Sequence, residues 1–443
     1  MKFLLIVFVV LIAGGRAAIA QTPPLRLTLD DAIARGVEAS DRLEELAARQ
    51  DAARAIEGQR EAAERPQLAA IASYTRTNHV EEFSVPNASG GVRVIYPDIP
   101  DNVRSRIDLQ WSIYTGGRLK ALTRAAGAEA EAVEQDREAA RADLKLEITR
   151  AFLAVITARA SLDVLRQALD RTSAHLDDVR NQLDVGLVPP SDVLSIEAQH
   201  ARQRMLSIEA GSLVETTTAE FKRLIGVDQD VPIELGADLK VGTTDARTPA
   251  AQPTRAAITD ARDNRAERKS LLFRLNAAEE RVAAASAGNL PVLTAIGGYD
   301  MARPNPRIFP IQEEWKPSWD VGVNVRWSLF DGGRVRAETA EAAANRRATQ
   351  ARLRDFDSAI DVEIRHRMAE LKSAGAAIEA AVAGVRAAME ARRVIAERFG
   401  AGVATNTDVL NAQTVLLQAE LDATRARANA ELASARLVRA LGQ

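Results

Sequence analysis

The chain has 443 residues, 27% of them charged, and a formal net charge of -3, which lacks the basic excess that a nucleic-acid-binding face needs. It contains zero Cys, which excludes disulfides, thiolate metal sites, cysteine nucleophiles and an acylated N-terminal cysteine, so it is expected to be neither stapled nor a lipoprotein. Only 25 Gly and 16 Pro punctuate it, and the long stretches without a breaker favour long helices.

Residues 1–20 read as a secretory signal. Lys2 supplies the positive start, residues 3–13 form an apolar run, and Ala18-Ile19-Ala20 offers small residues to a peptidase, so the mature chain is expected to begin at Gln21. That run is short of the ~20 residues a spanning helix needs, and no later segment is long and apolar enough. Membrane insertion would therefore have to use strands. From Thr28, read as an N-cap, to Arg65 the chain is rich in Ala, Glu and Arg and reads as one helix. Near Pro66 the period turns to two. A strand is expected over 67–76, and after a loop comes a longer one in which Val103, Ile107, Leu109, Trp111 and Ile113 alternate with Arg104, Arg106, Asp108, Gln110 and Ser112; Ser105 is the lapse on the apolar side.

Gly116 and Gly117 supply a flexible strand-to-helix joint. A helical period then runs from 118 to 184. Ile148, Val155, Leu162, Leu169, Leu176 and Leu183 recur every seven residues, with Leu144, Ala151, Ala158, Leu165 and Val179 beside them, which is a coiled-coil seam. Its length predicts about 100 Å of helix at 1.5 Å per residue, too long to fold back onto a compact core. The helix stops at Val185-Gly186-Leu187, with Pro189-Pro190 beyond it, and the next helix is expected over 191–225.

The chain then repeats itself. WSIYTGGRLKA at 111–121 returns as WSLFDGGRVRA at 327–337, an offset of 216 that also aligns Val185-Gly186-Leu187 with Ala401-Gly402-Val403 and Asp192 with Asp408. Upstream, Pro66 and Tyr74 match Pro291 and Tyr299 at an offset of 225, which assigns nine extra residues to a loop in the first copy. Residues 21–226 thus form a first helix-hairpin-helix repeat, 227–254 a linker, and 255–443 a second repeat. Two copies make a duplication rather than an open-ended solenoid.

In the second copy the helix is expected to start at Thr259 or Asp260, with a strand over 290–301. In the longer strand that follows, Trp319, Val321, Val323, Val325, Trp327 and Leu329 alternate with Asp320, Gly322, Asn324, Arg326 and Ser328. All four Trp and all four Tyr fall within 67–114 and 290–330. Trp319 and Trp327 share a face about 26 Å apart along a strand, which suits the aromatic girdles of a transmembrane barrel at Trp111, Trp319 and Trp327. The apolar face is expected to meet lipid and the charged face the lumen. Ile364, Leu371, Ile378, Val385 and Phe399 continue the seam, and Arg392 interrupts it.

No nucleophile elbow, phosphate-binding glycine loop or clustered metal ligand is present in this pattern, so neither an enzyme nor a cofactor is expected. His175, His200 and His366 lie in charged helical contexts and read as solvated. A periplasmic coiled-coil adaptor or structural protein that never inserts is the rival reading, and the two Trp-bearing alternating strands argue against it.

The signal, the duplicated unit, WSLFDGGR with WSIYTGGR, VGLVPPSDVLSIEAQ and GVATNTDVLNAQ together resemble the TolC-type outer-membrane efflux family over nearly the whole mature chain. The resemblance implies mixed helical and membrane-strand architecture: a homotrimer with a long coiled-coil helical barrel and a transmembrane β-barrel built from four strands per chain. It implies an outer-membrane exit duct with a periplasmic extension, serving a tripartite efflux or type I secretion system through a periplasmic adaptor (membrane fusion protein) and an inner-membrane pump. Residue by residue, it assigns Val185, Gly186, Leu187, Ala401, Gly402 and Val403 to adaptor docking. It assigns Asp192, Phe399, Asp408 and Asn411 to a gate, with Asp408 in an acidic ring, Phe399 as an aromatic latch, Asn411 where the family carries a second Asp, and Ala404 where an Arg can close a salt bridge. The lock is accordingly expected to rest more on packing by Phe399 than on ion pairs.

Overall fold

The computed structural model describes residues 24–88, 90–236 and 254–443; the expected signal and most of the expected linker lie outside them. In chain order the elements are β1 (Leu25–Leu27), α1 (Leu29–Glu38), α2 (Asp41–Ala62), β2 (Gln67–Arg76), β3 (Phe83–Pro86), β4 (Val92–Tyr96), β5 (Asp101–Tyr114), α3 (Arg118–Asp184), α4 (Pro190–Leu224), β6 (Ile233–Leu235), α5 (Thr254–Asn264), α6 (Ala266–Ser286), β7 (Val292–Arg303), β8 (Lys316–Arg326), α7 (Arg334–Gly400) and α8 (Asn406–Ala440). α3 and α7 have 67 residues each, and α4 and α8 have 35 each.

Three expectations need correction. The helix read over 28–65 is two helices. Thr28 does cap the first, with its hydroxyl and the Asp31 carboxylate closing a capping box, but Ser40 starts a second by accepting a hydrogen bond from Leu43 N–H at 3.4 Å. In the second half the helix begins at Thr254, not at Thr259 or Asp260; Thr259 is interior and donates its hydroxyl to the Arg255 carbonyl at 3.1 Å. A break follows at Arg265, whose side chain is buried and turned to Glu363 at 2.6 Å instead of capping a helix. The loop that carries the nine-residue excess contains the β3–β4 hairpin, whose Asn87-to-Gly91 turn is closed by Asn87 Oδ1 accepting from Gly91 N–H at 2.8 Å. β1 and β6 form a short parallel pair that no periodicity announced.

The chain divides into two compact units. One comprises the described parts of residues 1–39, 147–243 and 378–428. Its core is built by α3, α4 and α8: Leu162, Leu165 and Ala168 pack with Ala210 and Leu417, while Leu176 and Val179 pack with Val193 and Ile196. Phe152 and Phe221 meet edge-on with ring centroids 5.8 Å apart, an arrangement that adds about 0.5–1.5 kcal/mol to their burial.

The other unit comprises the described parts of residues 40–146, 244–377 and 429–443. It holds an antiparallel four-stranded sheet of order β2-β5-β7-β8. In the same unit, Ile258, Ala261, Ile360, Ile364 and Leu437 of α5, α7 and α8, with Leu441 just beyond α8, form an apolar cluster. Arg439 is nine-tenths buried and ties α8 to Asp143 of α3 and Glu267 of α6 at 2.8 and 2.6 Å. Burial raises the Glu267 carboxyl, but the Arg439 and Arg265 guanidinium groups more than offset this and hold it below its ordinary range. Among the described residues no helix is long and apolar enough to cross a membrane.

Candidate functional site: helix tips, gate residues and sheet face

Both long helices end in the same motif. Gly186 N–H donates to the Leu183 carbonyl and Leu187 N–H to the Gln182 carbonyl, each at 2.8 Å. Gly402 and Val403 repeat the pattern on Phe399 and Arg398, each at 2.9 Å. Both glycines have positive φ, 74° and 73°, the left-handed conformation that ends a helix in a Schellman turn and penalises any Cβ. In that turn the hydrophobe after the glycine often folds back onto the helix. Here it does not: Leu187 is 75% exposed and Val403 63%, with Val185 at 70%. Ala401 is exposed beside Gly402.

The residues expected to form a gate separate into different environments. Asp192 lies in the first turn of α4 but caps nothing, since the N-cap position is Pro189 and no side-chain cap bond is made. Asp408 is exposed and closes a capping box: its carboxylate accepts from Thr405 N–H at 2.9 Å and the Thr405 hydroxyl at 2.7 Å, and its own N–H donates to Thr405 Oγ1 at 3.2 Å. Those two Thr405 donors hold the Asp408 carboxyl below the usual carboxylate range. Asn411 is exposed one turn further along α8. Phe399 packs on the cluster of Leu176, Val179, Val193 and Ile196 and meets the His175 ring edge-on at 5.4 Å.

His175 corrects the solvated reading. Its Nε2 lies 2.9 Å from Oδ1 of Asn406, a residue that sequence reasoning passed over because its partner is 231 positions away. Thr405, also missed, was visible as the first residue of Thr-Asn-Thr-Asp, the capping-box spacing.

In the sheet the register separates two faces as expected. Ile107 opposes Tyr299, which opposes Trp319, and Trp111 opposes Ala295, which opposes Val323. This places Trp111, Trp319, Val321, Val323 and Val325 on one face. β8 ends at Arg326, so Trp327 and Leu329 stand just beyond the strand instead of within it. Trp327 Nε1 donates to the Asn289 carbonyl and Trp111 Nε1 to the Glu64 carbonyl, each at 3.1 Å, the same bond made in both halves.

The opposite face carries Arg104, Arg106, Asp108, Gln110, Asn324 and Arg326, and also a network that alternation did not reveal. Asp300 on β7 is 3% exposed and paired with both Arg104 and Arg106. Arg106 continues across β7 to Asp320 on β8 at 2.9 Å, and Arg307 joins Asp320 at 3.3 Å. The Arg106 guanidinium lies over Gly298, where a Cβ would overlap it. Signs alternate throughout the network, so it holds three strands in register with little net charge. Among the described residues no group of three or more His, Asp or Glu could hold a metal ion.

The model of the family described as outer membrane efflux protein matches residues 36–227 and 257–443. The chain is 27% identical to Protein CyaE of Bordetella pertussis over 323 residues, 72% of this chain and 67% of that one. It is 25% identical to the outer membrane protein TolC of Vibrio cholerae over 332 residues, 71% of this chain and 72% of that one. Among solved structures, the outer membrane protein VceC of Vibrio cholerae superposes with a TM-score of 0.80 at 20% identity, covering 94% of this chain and 96% of that one, which shows a shared fold. With its family model matched in both halves, the chain belongs to the outer membrane efflux protein family.

Proposed function

We propose that the chain is one of three subunits of an outer-membrane exit duct, whose helical extension lies in the periplasm and whose tips dock an adaptor coupled to an inner-membrane pump in an efflux or type I secretion system. The observation that carries this reading is the exposed apolar sheet face: Trp319 is 72% exposed, Val321 78%, Val323 61% and Val325 66%. Such a face is costly in water, whereas charged residues facing mid-bilayer lipid cost ~2–4 kcal/mol, and the register keeps the two sets apart. The same face disfavours a soluble coiled-coil protein. β2 and β8 each have one free edge. Four strands cannot close a barrel, and an open edge invites pairing, so copies of the chain joining β8 to β2 relieve both problems. Equal lengths of α3 and α7, and of α4 and α8, support the duplication.

Two helix faces support assembly. α4 exposes Leu194, Ala198, Ala201, Met205 and Ile208 at alternating four- and three-residue spacing, while α7 exposes Ser373, Ala376, Ala380, Ala383 and Ala387 at the same alternation. The large Leu194, Met205 and Ile208 on one seam and the small side chains on the other suit knobs-into-holes packing between copies. The exposed Val185, Leu187 and Val403 supply an apolar contact for the adaptor, and Asp408 with Asn411 lines the gate.

Outer-membrane fractionation tests the core of the reading. The protein is expected to require detergent for release and to migrate differently on a gel before and after heating; release by osmotic shock as a soluble species contradicts it. Leu187→Asp and Val403→Asp, which leave the glycine turns untouched, are expected to abolish export at normal expression, and wild-type export from both removes the docking claim.

A further inference from the structure

We infer that Arg326 forms a ring of unneutralised cations at the inner end of the barrel lumen and that this ring makes the barrel favour anionic over cationic cargo, a reading that rests on the proposed function. The register puts Arg326 on the face shared by Asp320 and Asn324, opposite Val292 of β7, and its side chain is exposed. Every other charge that the four strands place on that face has a partner. Arg104, Arg106 and Arg307 are matched by Asp108, Asp300 and Asp320 through direct ion pairs. Lys316 pairs with Glu314 at 2.7 Å. Arg326 alone on the face makes no ion pair among the described residues. Asp331, the acid that follows it in the chain, is engaged at the start of α7, where it accepts from Gly333 N–H and Val335 N–H, each at 2.9 Å.

Joining β8 to β2 of the next copy supplies no acid either. The β2 residues that oppose the charged face of β5 are Gln67, Ala69, Ile71, Ser73 and Thr75, none of them charged. Glu61 and Glu64, which lead into that strand, are engaged by Arg65 at 3.6 Å and by the Thr123 hydroxyl at 2.8 Å. Three copies therefore set three free guanidinium groups around one aqueous bore. Water hydrates them there, so the charge is tolerated, while the low-dielectric wall behind them focuses their field across the lumen. Cargo bearing carboxylate, phosphate or sulfonate groups is drawn through this level, and cationic cargo is opposed.

The chain has no native Cys, so Asn324→Cys, about 7 Å from Arg326 along the same face, reports the local potential. The purified full-length protein is treated with an anionic and a cationic methanethiosulfonate of similar size, with heat-modifiable migration as the check on assembly. The ratio of anionic to cationic reaction rates is expected to fall about fivefold when Arg326→Gln is added, and to stay within about twofold when Arg326→Lys is added instead. In about 1 M salt, where the Debye length is about 3 Å, most of that fall is expected to vanish. In planar bilayers under a KCl gradient, Arg326→Gln is expected to lower the chloride-to-potassium permeability ratio about twofold. Equal rate ratios with Arg326 and with Arg326→Gln overturn the ring, as does a fall that Arg326→Lys reproduces. An unchanged reversal potential overturns the cargo preference. Reaction of Asn324→Cys with a lipid-soluble maleimide alone places this face against the membrane and overturns the duct reading and the ring with it, an outcome distinct from a water-accessible thiol that ignores Arg326.

Discussion

α3 and α7 have the same length and matching apolar periods, yet they live in opposite surroundings. α3 buries Leu144, Ile148, Phe152, Val155, Leu162, Leu165, Leu176 and Val179 within its own protomer; α7 buries Val335, Ile360, Ile364 and Ala388 and leaves most of its remaining length half-buried or exposed. At matched positions Phe152 faces Phe221 where α7 has the partly buried Met368, and Leu176 lies in the core where α7 has Arg392. The difference teaches that a heptad seam fixes helix length and which face is apolar, while neighbours decide whether that face is covered. α3 has α4 and α8 beside it. α7 leaves its alanine seam exposed, the flank that the proposed assembly would cover.

Substitutions at matched positions break this comparison most sharply. Phe152→Ala is expected to cost about 3–5 kcal/mol, as for other fully buried aromatics, and Met368→Ala less than about 2 kcal/mol because its site is already partly open. Denaturant midpoints of the detergent-solubilised protein check the ordering, and equal losses would mean that the helices are equally covered. Next in size is Arg439→Met. It removes the cation shared by Glu267 and Asp143, leaving Glu267 only the more distant Arg265 at 3.8 Å, and is expected to cost about 2 kcal/mol, the range for hydrogen bonds to charged groups, seen in the same midpoints.

The smallest effect concerns α8 as it starts. The folded Asp408 carboxyl is held below its ordinary value, so its contribution is fully present above about pH 4, the unfolded range, and is lost as pH falls through the depressed folded value. Asp408→Asn is expected to remove that acid dependence from the helix signal measured by circular dichroism. An unchanged acid transition in the variant would assign it to other carboxylates.

Much of this architecture was readable from local pattern. The bounds 118–184 emerged from a seven-residue period flanked by glycine turns, and the two sheet faces from parity along single strands. What escaped was non-local or short. Asp300 needed Arg104 and Arg106, which are 196 and 194 positions away, before its burial made sense. His175 needed Asn406. β3 and β4 are too short to show a period, and Ser40 resembles any polar residue inside a helix until the chain bends there. Asp192 and Asp408 align by repeat yet differ in role because only the second copy places a Thr three residues ahead.

The assembly claim is tested most directly by joining the two flanks. Ile208 lies 18 residues beyond Pro190 and Ala383 lies 17 before Gly400, so the two stand at matching heights from the helix tips. In this chain without native Cys, the Ile208→Cys, Ala383→Cys double variant treated in outer membranes with a short bis-maleimide is expected to yield covalent dimers and trimers, with neither single variant doing so. Monomer alone, under conditions where both thiols react with a monofunctional maleimide, would contradict the claim that α4 of one copy meets α7 of the next.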